Sequence, residues 1–190
     1  MIIGFSGRAR HGKTESCEAI KHFVESYHCS HKTAGIYDIG NQVRLYCIEN
    51  HLLPQVERKD MDSKQLQVLI DVGRMKRAQD EDFWMDQIMD AIMRDGRDVA
   101  LIPNLRYENE VRIVRSFNGY VVRVTRLNRN GSTYISRDRD PNDASETTLQ
   151  NVPADFYLTV NSGHPALVQQ QAVALHKYLV EWNHGDGWYA

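Results

Sequence analysis

Residues 7–14, Gly-Arg-Ala-Arg-His-Gly-Lys-Thr, constrain this chain more than any other stretch of it. They fit G-x-x-x-x-G-K-[ST] at every fixed position. Gly7 and Gly12 let backbone N–H groups turn inward and approach phosphate oxygens closely. Lys13 supplies a point charge to the β and γ phosphates, and the Thr14 hydroxyl can ligate Mg²⁺. A helix starting there adds its positive N-terminal end. Arg8, Ala9, Arg10 and His11 fill the variable positions, where His11 reads as a spacer. The flanks agree with a phosphate loop rather than an ordinary glycine turn. Ile2–Ser6 is a short apolar run ending in small residues, as a fully buried strand requires. From Thr14 onward Cys17, Ile20, Phe23 and Val24 recur at helical spacing.

The remaining chain keeps alternating. A short strand is expected over 33–37 and a helix over 42–50. Ser63 is a plausible N-cap before Leu66, Leu69 and Ile70. Asp82 opens another helix, whose Trp84, Ile88 and Ala91 share a face until Gly96 punctuates it. Trp84 reads as core rather than as a platform for stacking a base. A buried strand over 99–103, a helix over 108–117 and strands over 120–125 and 156–160 follow. Val168, Ala172, Leu175 and Leu179 stripe a last helix. Strands alternating with helices predict an α/β fold: a three-layer sandwich with a mainly parallel central sheet, helices on both faces, and one domain over 1–190. Residues 127–143 interrupt the alternation with three Arg, three Asp, three Asn and one Gly. They read either as a solvated loop or as a mobile lid.

Composition narrows the partners. With 190 residues, 42% hydrophobic and 25% charged, the chain suits one soluble globular domain. A formal net charge of -2 implies no general affinity for polyanions, so phosphate binding has to be local. Cys17, Cys29 and Cys47 form neither a CxxC pair nor a disulfide framework, which suits a reducing compartment. His28, Cys29 and His31 lack a second ligand pair, so zinc is disfavoured. The start lacks a basic region followed by an apolar one, and no apolar run reaches transmembrane length. The expectation is a cytoplasmic protein without a membrane partner. The tail aromatics Trp182, Trp188 and Tyr189 could pack a helix end or a homodimer contact.

Several blocks resemble the bacteriophage deoxynucleoside monophosphate kinases, a branch of the P-loop nucleoside monophosphate kinases. IIGFSGRARHGKT (residues 2–14) resembles the family's opening, and RAQDEDFW (77–84) its Arg followed by an acidic-aromatic-Trp segment. LIPNLRYENEV (101–111) resembles its strand ending in Asp-x-Arg-Phe-x-Asn-Glu. GYVVRVTR (119–126) is similar to the strand leading to the lid, DPNDASE (140–146) to the Asp-x-His-x-Ser-Glu segment after it, and FYLTVNSG (156–163) to the closing strand. Two positions depart from the pattern: Asn104 replaces an acidic residue at the strand end, and Asp143 replaces a His. The resemblance implies a Mg²⁺-dependent kinase carrying the γ-phosphate of ATP to a deoxynucleoside monophosphate. It also places Asp38 near the acceptor.

Transfer between two phosphates gathers negative charge, and cationic side chains must follow that charge into the transition state. Arg77, Arg106, Arg126, Arg137 and Arg139 are the candidates. Arg106 stands just past a buried strand, where open α/β sheets bind ligands. Arg137 and Arg139 alternate with Asp138 and Asp140, as either a self-paired ribbon or a closing lid. A phosphate acceptor is already ionised at neutral pH and needs no general base. An alcohol acceptor, such as a hydroxymethylated base in DNA, would need one, and Asp38 is the candidate. A nucleotide-dependent switch is the third alternative, disfavoured as a GTPase because no N/TKxD sequence is present.

Overall fold

The computed structural model describes residues 1–26, 31–137 and 140–184. Arg139, Asp138, His28, Cys29, Trp188 and Tyr189, named above, lie outside the described residues. The chain forms two compact units: Met1–Ile36 together with Arg97–Ala190, and Tyr37–Gly96. In chain order the elements are β1 (Ile2–Ser6), α1 (Lys13–Ser26), β2 (Ala34–Ile36), α2 (Ile39–Glu49), α3 (Ser63–Gln79) and α4 (Phe83–Asp95). Then come β3 (Val99–Leu105), α5 (Glu108–Ser116), β4 (Tyr120–Leu127), α6 (Ala144–Thr147), β5 (Phe156–Asn161) and α7 (Pro165–His184).

All five strands lie in the first unit, in the order β2-β3-β1-β4-β5, and every neighbouring pair is parallel. Parallel strands need both faces covered, and the period of two along β1 shows how this chain does it. Ile3 and Phe5, both fully buried, join Leu101, Val122, Val124, Leu158 and Val160 in one apolar layer under Cys17 and Ile20 of α1 and Val168, Ala172 and Leu179 of α7. Gly4, between them in sequence, faces the other way. A Cβ there would stand 2.4 Å from Leu105 Cδ1 and 3.4 Å from Val114 Cγ2 of α5. The α/β sandwich with a parallel sheet flanked by helices is therefore present. Each large side chain in such a layer contributes roughly 1.5–3 kcal/mol by leaving water.

The second unit is helical. Trp84 is 1% exposed, its indole N–H donates to Gly73 O at 3.1 Å, and its ring meets Tyr46 and Phe83 edge to face. It is a core residue, as its helical spacing implied. Gly96 ends α4 in a left-handed conformation with φ 59°, and its N–H bonds Ile92 O.

Several boundaries differ from the sequence expectation for identifiable reasons. The N-cap of α3 is Asp62 rather than Ser63: Asp62 accepts from Gln65 N–H, and the Gln65 side chain returns to the Asp62 N–H. The second helix begins at Ile39 rather than residue 42, because Asp38 caps it by accepting from Asn41 N–H at 2.9 Å. The third strand continues through Pro103 to Leu105. The β1–β3 register slips by one residue between Gly4↔Ile102 and Ser6↔Leu105, and that irregularity accommodates the proline, which has no N–H to donate. Leu127 belongs to β4, not to the polar segment after it.

His176 of α7 is 2% exposed and meets the Phe23 ring edge-on at 6.0 Å. Burial lowers its pKa to about 4. The folded state thus binds fewer protons than the unfolded chain in the window between about pH 6.5 and 4, and stability falls as pH drops through it. The expected loss reaches roughly 3 kcal/mol at the acid end. Urea unfolding at a series of pH values checks this: the difference between wild type and His176→Leu should change with pH across that window and be flat above it.

Candidate phosphate-binding site

The chain leaves β1 at Ser6, in the middle of the sheet. From β1 the chain crosses toward the β2 edge of the sheet, whereas from the neighbouring β4 it crosses to β5 at the opposite edge. That reversal opens a crevice at the carboxyl ends of the strands, where α/β sheets take ligands. Loop 7–12 occupies it. Gly7 has φ 132°, Arg10 φ 62° and Gly12 φ 97°. A Cβ on Gly7 would stand 2.3 Å from the Val124 carbonyl oxygen, and one on Gly12 would press Val168 at 3.2 Å. Gly7 is required by close approach as well as by φ, and Gly12 by φ. The loop then enters α1, with Ser16 N–H and Ser16 Oγ–H both donating to Gly12 O, at 2.9 and 2.8 Å. Lys13, 4% exposed, reaches back across the loop and donates from Nζ to Gly7 O at 2.8 Å and Arg8 O at 2.7 Å. Thr14 is exposed in the first turn of the helix.

His11 is more than a spacer. It is 3% exposed, with Nδ1 3.1 Å from Val124 O and Nε2 2.9 Å from Tyr134 O. Burial lowers its pKa, and the charges of Lys13 and Arg8 act in the same direction, against the two carbonyls. A neutral imidazole can donate to one of those carbonyls only. His11 thereby sits between β4 and the polar segment that follows, bonding one of them and packing against the other. That segment is itself folded back: Tyr134 N–H donates to Arg126 O at 2.8 Å, and the Arg126 guanidinium lies over the Tyr134 ring at 4.0 Å. Arg126 also donates to Ser162 Oγ at 2.9 Å and to Arg10 O at 3.3 Å.

Arg106 follows β3 on the other side of the loop. Glu110, in the first turn of α5, has a carboxylate that accepts from Arg106 N–H at 2.6 Å and Tyr107 N–H at 3.2 Å, which sets the backbone at this turn. The Arg106 side chain donates from Nη1 to Ser145 O at 2.9 Å and to Glu146 Oε1 at 2.8 Å. The other Glu146 oxygen accepts from Ala9 N–H, in the loop, at 2.8 Å. Burial raises the pKa of Glu146, but the Ala9 amide, Arg106 and Lys13 outweigh it and hold the carboxyl below its ordinary value. Beside these groups lies a cleft of about 300 Å³ lined by Gly7, His11, Arg106, Arg123, Glu146 and Gln150.

The structure thus brings together residues 7–13, Arg106 and Arg126 around the sheet reversal, all in the first unit. Arg137 is exposed and is not among the residues that line the cleft. Asp38 and Arg77 belong to the second unit, where Asp38 caps α2 and Arg77 Nη1 donates to Gly73 O at 3.4 Å in the last turn of α3. Glu146, Tyr134 and Arg123 were not singled out by sequence. Glu146 had a local signal: Asp143 caps a turn by accepting from Ser145 N–H at 2.8 Å, and an acid at the third position after such a cap is a helix-start pattern. Arg123 had none, since its partners are the carbonyls of Leu149, Gln150 and Val152, at the end of another turn.

Among the described residues, no helix is long and apolar enough to cross a membrane, and no three His, Cys, Asp or Glu side chains converge as a metal site. No protein-family model matches the chain, and a comparison with curated proteins finds no match either.

Gly7 offers a direct test of the loop geometry. Gly7→Ala should destabilise by about 2–3 kcal/mol or more, because the new methyl group meets a backbone carbonyl and the φ is unfavourable. Gly131, with φ 81° and open space around its Cβ position, is the control. Gly131→Ala should cost only about 1 kcal/mol, from the φ alone. Urea unfolding of the two variants measures the difference.

Proposed function

We propose that this chain is a kinase transferring the γ-phosphate of ATP to a deoxynucleoside 5′-monophosphate, with Mg²⁺. The observation that carries the reading is the glycine loop at the carboxyl end of the central strand, with Lys13, Arg106 and Arg126 gathered around it. The family resemblance in its blocks points the same way and supplies the acceptor class.

The chemistry asks little covalent work of the protein. A phosphate monoester acceptor is ionised at neutral pH, so its oxygen attacks without a dedicated base. What remains is to hold donor and acceptor in line and to offset the charge that accumulates between them. In this reading the loop amides and Lys13 hold the donor phosphates, with Lys13 exchanging its two loop carbonyls for phosphate oxygens. Arg106 and Arg126 stand on either side of the loop to follow charge onto the transferred group. Mg²⁺ requires few protein ligands when it arrives with a nucleotide. The exposed Thr14 hydroxyl, with phosphate oxygens and water, fits that requirement, and Asn104 stands where the resembling family carries an acidic residue. The ion, when bound, neutralises charge on the phosphates.

ADP release measured over a panel of all common nucleoside monophosphates tests this reading directly. One or more deoxynucleoside monophosphates should stimulate it strongly, and turnover only with hydroxymethylated DNA would replace the acceptor class with an alcohol. Lys13→Ala should lower kcat by at least roughly a thousandfold while the protein still unfolds cooperatively, as expected when a major source of transition-state charge stabilisation is removed. Near-normal turnover by the folded variant would remove the phosphate-loop assignment.

Residues 127–143 generate a second expectation. Hydrogen exchange should show protection gained in 135–143 on binding both substrates, with smaller changes over 127–134, where the Tyr134–Arg126 backbone bond already holds the free protein. Equal protection in the two states would make the segment a passive surface loop.

A further inference from the structure

We propose that Glu146 is a positioning residue for the phosphate site, tying the Ala9 amide of the loop to the guanidinium of Arg106. The inference rests on the kinase reading above and adds a residue that neither the motif nor the resemblance assigns a task.

Three segments distant in sequence meet at this carboxylate: the loop after β1, the turn after β3, and the short helix α6 beyond β4. The Glu146 partners are 137 and 40 residues away in the chain. Each oxygen is committed to a different one of them, both at 2.8 Å, and the residue is only 7% exposed. A carboxylate held at both oxygens has one geometry, so the two groups it joins are fixed relative to each other. The anchor is itself fixed. Asp143 caps the turn that carries Glu146, Thr147 Oγ1 donates to Asp143 O at 3.1 Å, and Gln150 Nε2 donates to the Glu146 carbonyl at 3.3 Å.

The consequence falls on Arg106. Its backbone is set by Glu110 and its side chain by Glu146 and the Ser145 carbonyl, all through defined contacts. Among the described residues its side-chain hydrogen bonds leave from Nη1, so Nε and Nη2 remain for a ligand. A guanidinium held by one edge and presenting the other is preorganised for a phosphate. Without Glu146 the same side chain would have to find that orientation during each turnover. The carboxylate also balances Lys13 and Arg106 inside a poorly hydrated site.

Four proteins decide the matter: wild type, Glu146→Gln, Arg106→Ala and the double variant, each assayed for ADP formation with ATP and the best monophosphate. Glu146→Gln should lower kcat roughly ten- to a hundredfold, the loss common when a group orienting a working residue is removed, with a much smaller change in KM for ATP. In the Arg106→Ala background the same change should have little further effect, because its route of action is gone. Losses that multiply in the double variant would overturn the proposal, as would tighter ATP binding by Glu146→Gln, which would make the carboxylate an occupant of the phosphate site. Should Glu146→Gln fail to fold, Glu146→Asp keeps the charge, shortens the reach and serves in the same cycle.

A readout independent of turnover separates this inference from the kinase reading. The Ala9 amide proton should move upfield in the ¹H–¹⁵N spectrum of Glu146→Gln. An unmoved resonance refutes the Glu146 tie even in an active kinase. A moved resonance in a protein that turns over no acceptor keeps the tie and removes the kinase.

Discussion

At Gly7 the backbone passes so close to the Val124 carbonyl of β4 that no side chain fits between them. The rest of the site depends on this approach. It seats the loop against the neighbouring strand, and from that seat His11 reaches both Val124 O and Tyr134 O. The seat also leaves Ala9 facing Glu146 and brings the Arg10 carbonyl within reach of Arg126. A parallel sheet makes the arrangement possible, because β1 is flanked on both sides and its end is enclosed by the ends of β3 and β4.

Charge is distributed in the site with equal economy. Lys13, Arg106 and Arg126 stand near the loop while the chain as a whole has a formal net charge of -2. Each cation has internal acceptors: Lys13 two loop carbonyls, Arg126 a serine hydroxyl and a loop carbonyl, Arg106 a carboxylate and a carbonyl. A buried cation with satisfied hydrogen bonds is far less costly than an unpaired one. In the proposed kinase reading, an entering phosphate would exchange neutral carbonyls for charged oxygens at Lys13, a gain in electrostatic attraction. Preorganisation of this kind is how a protein favours developing charge over bulk water.

Much of the architecture was legible in sequence because it rests on short-range periodicity. Ile3 and Phe5 alternate with Gly4, and Val168, Ala172, Leu175 and Leu179 repeat at helical spacing; both patterns report a buried face directly. The strand over 99–103 was legible despite its proline, but its extension to Leu105 was not, since that extension goes with a register slip against β1, and a slip is a property of the pair. The cap of α3 was misplaced by one residue for a similar reason. Asp62 and Ser63 are both good caps, and the choice lay in the reciprocal bond with Gln65. His11 looked like a spacer because its partners, two backbone carbonyls, leave no mark on composition.

Sequence by itself determined the alternation of strands and helices, the glycine loop with its lysine, and the position of Arg106 just beyond a buried strand. These follow from local preferences and from residue types that few other conformations would use. Tertiary structure alone decided the strand order, the two-unit division, the placement of His11 and the meeting of Ala9, Arg106 and Glu146. Those relations join residues up to 137 positions apart. They depend on which strands become neighbours, and that is settled when apolar faces from the whole unit are buried together, a cooperative event no local window contains.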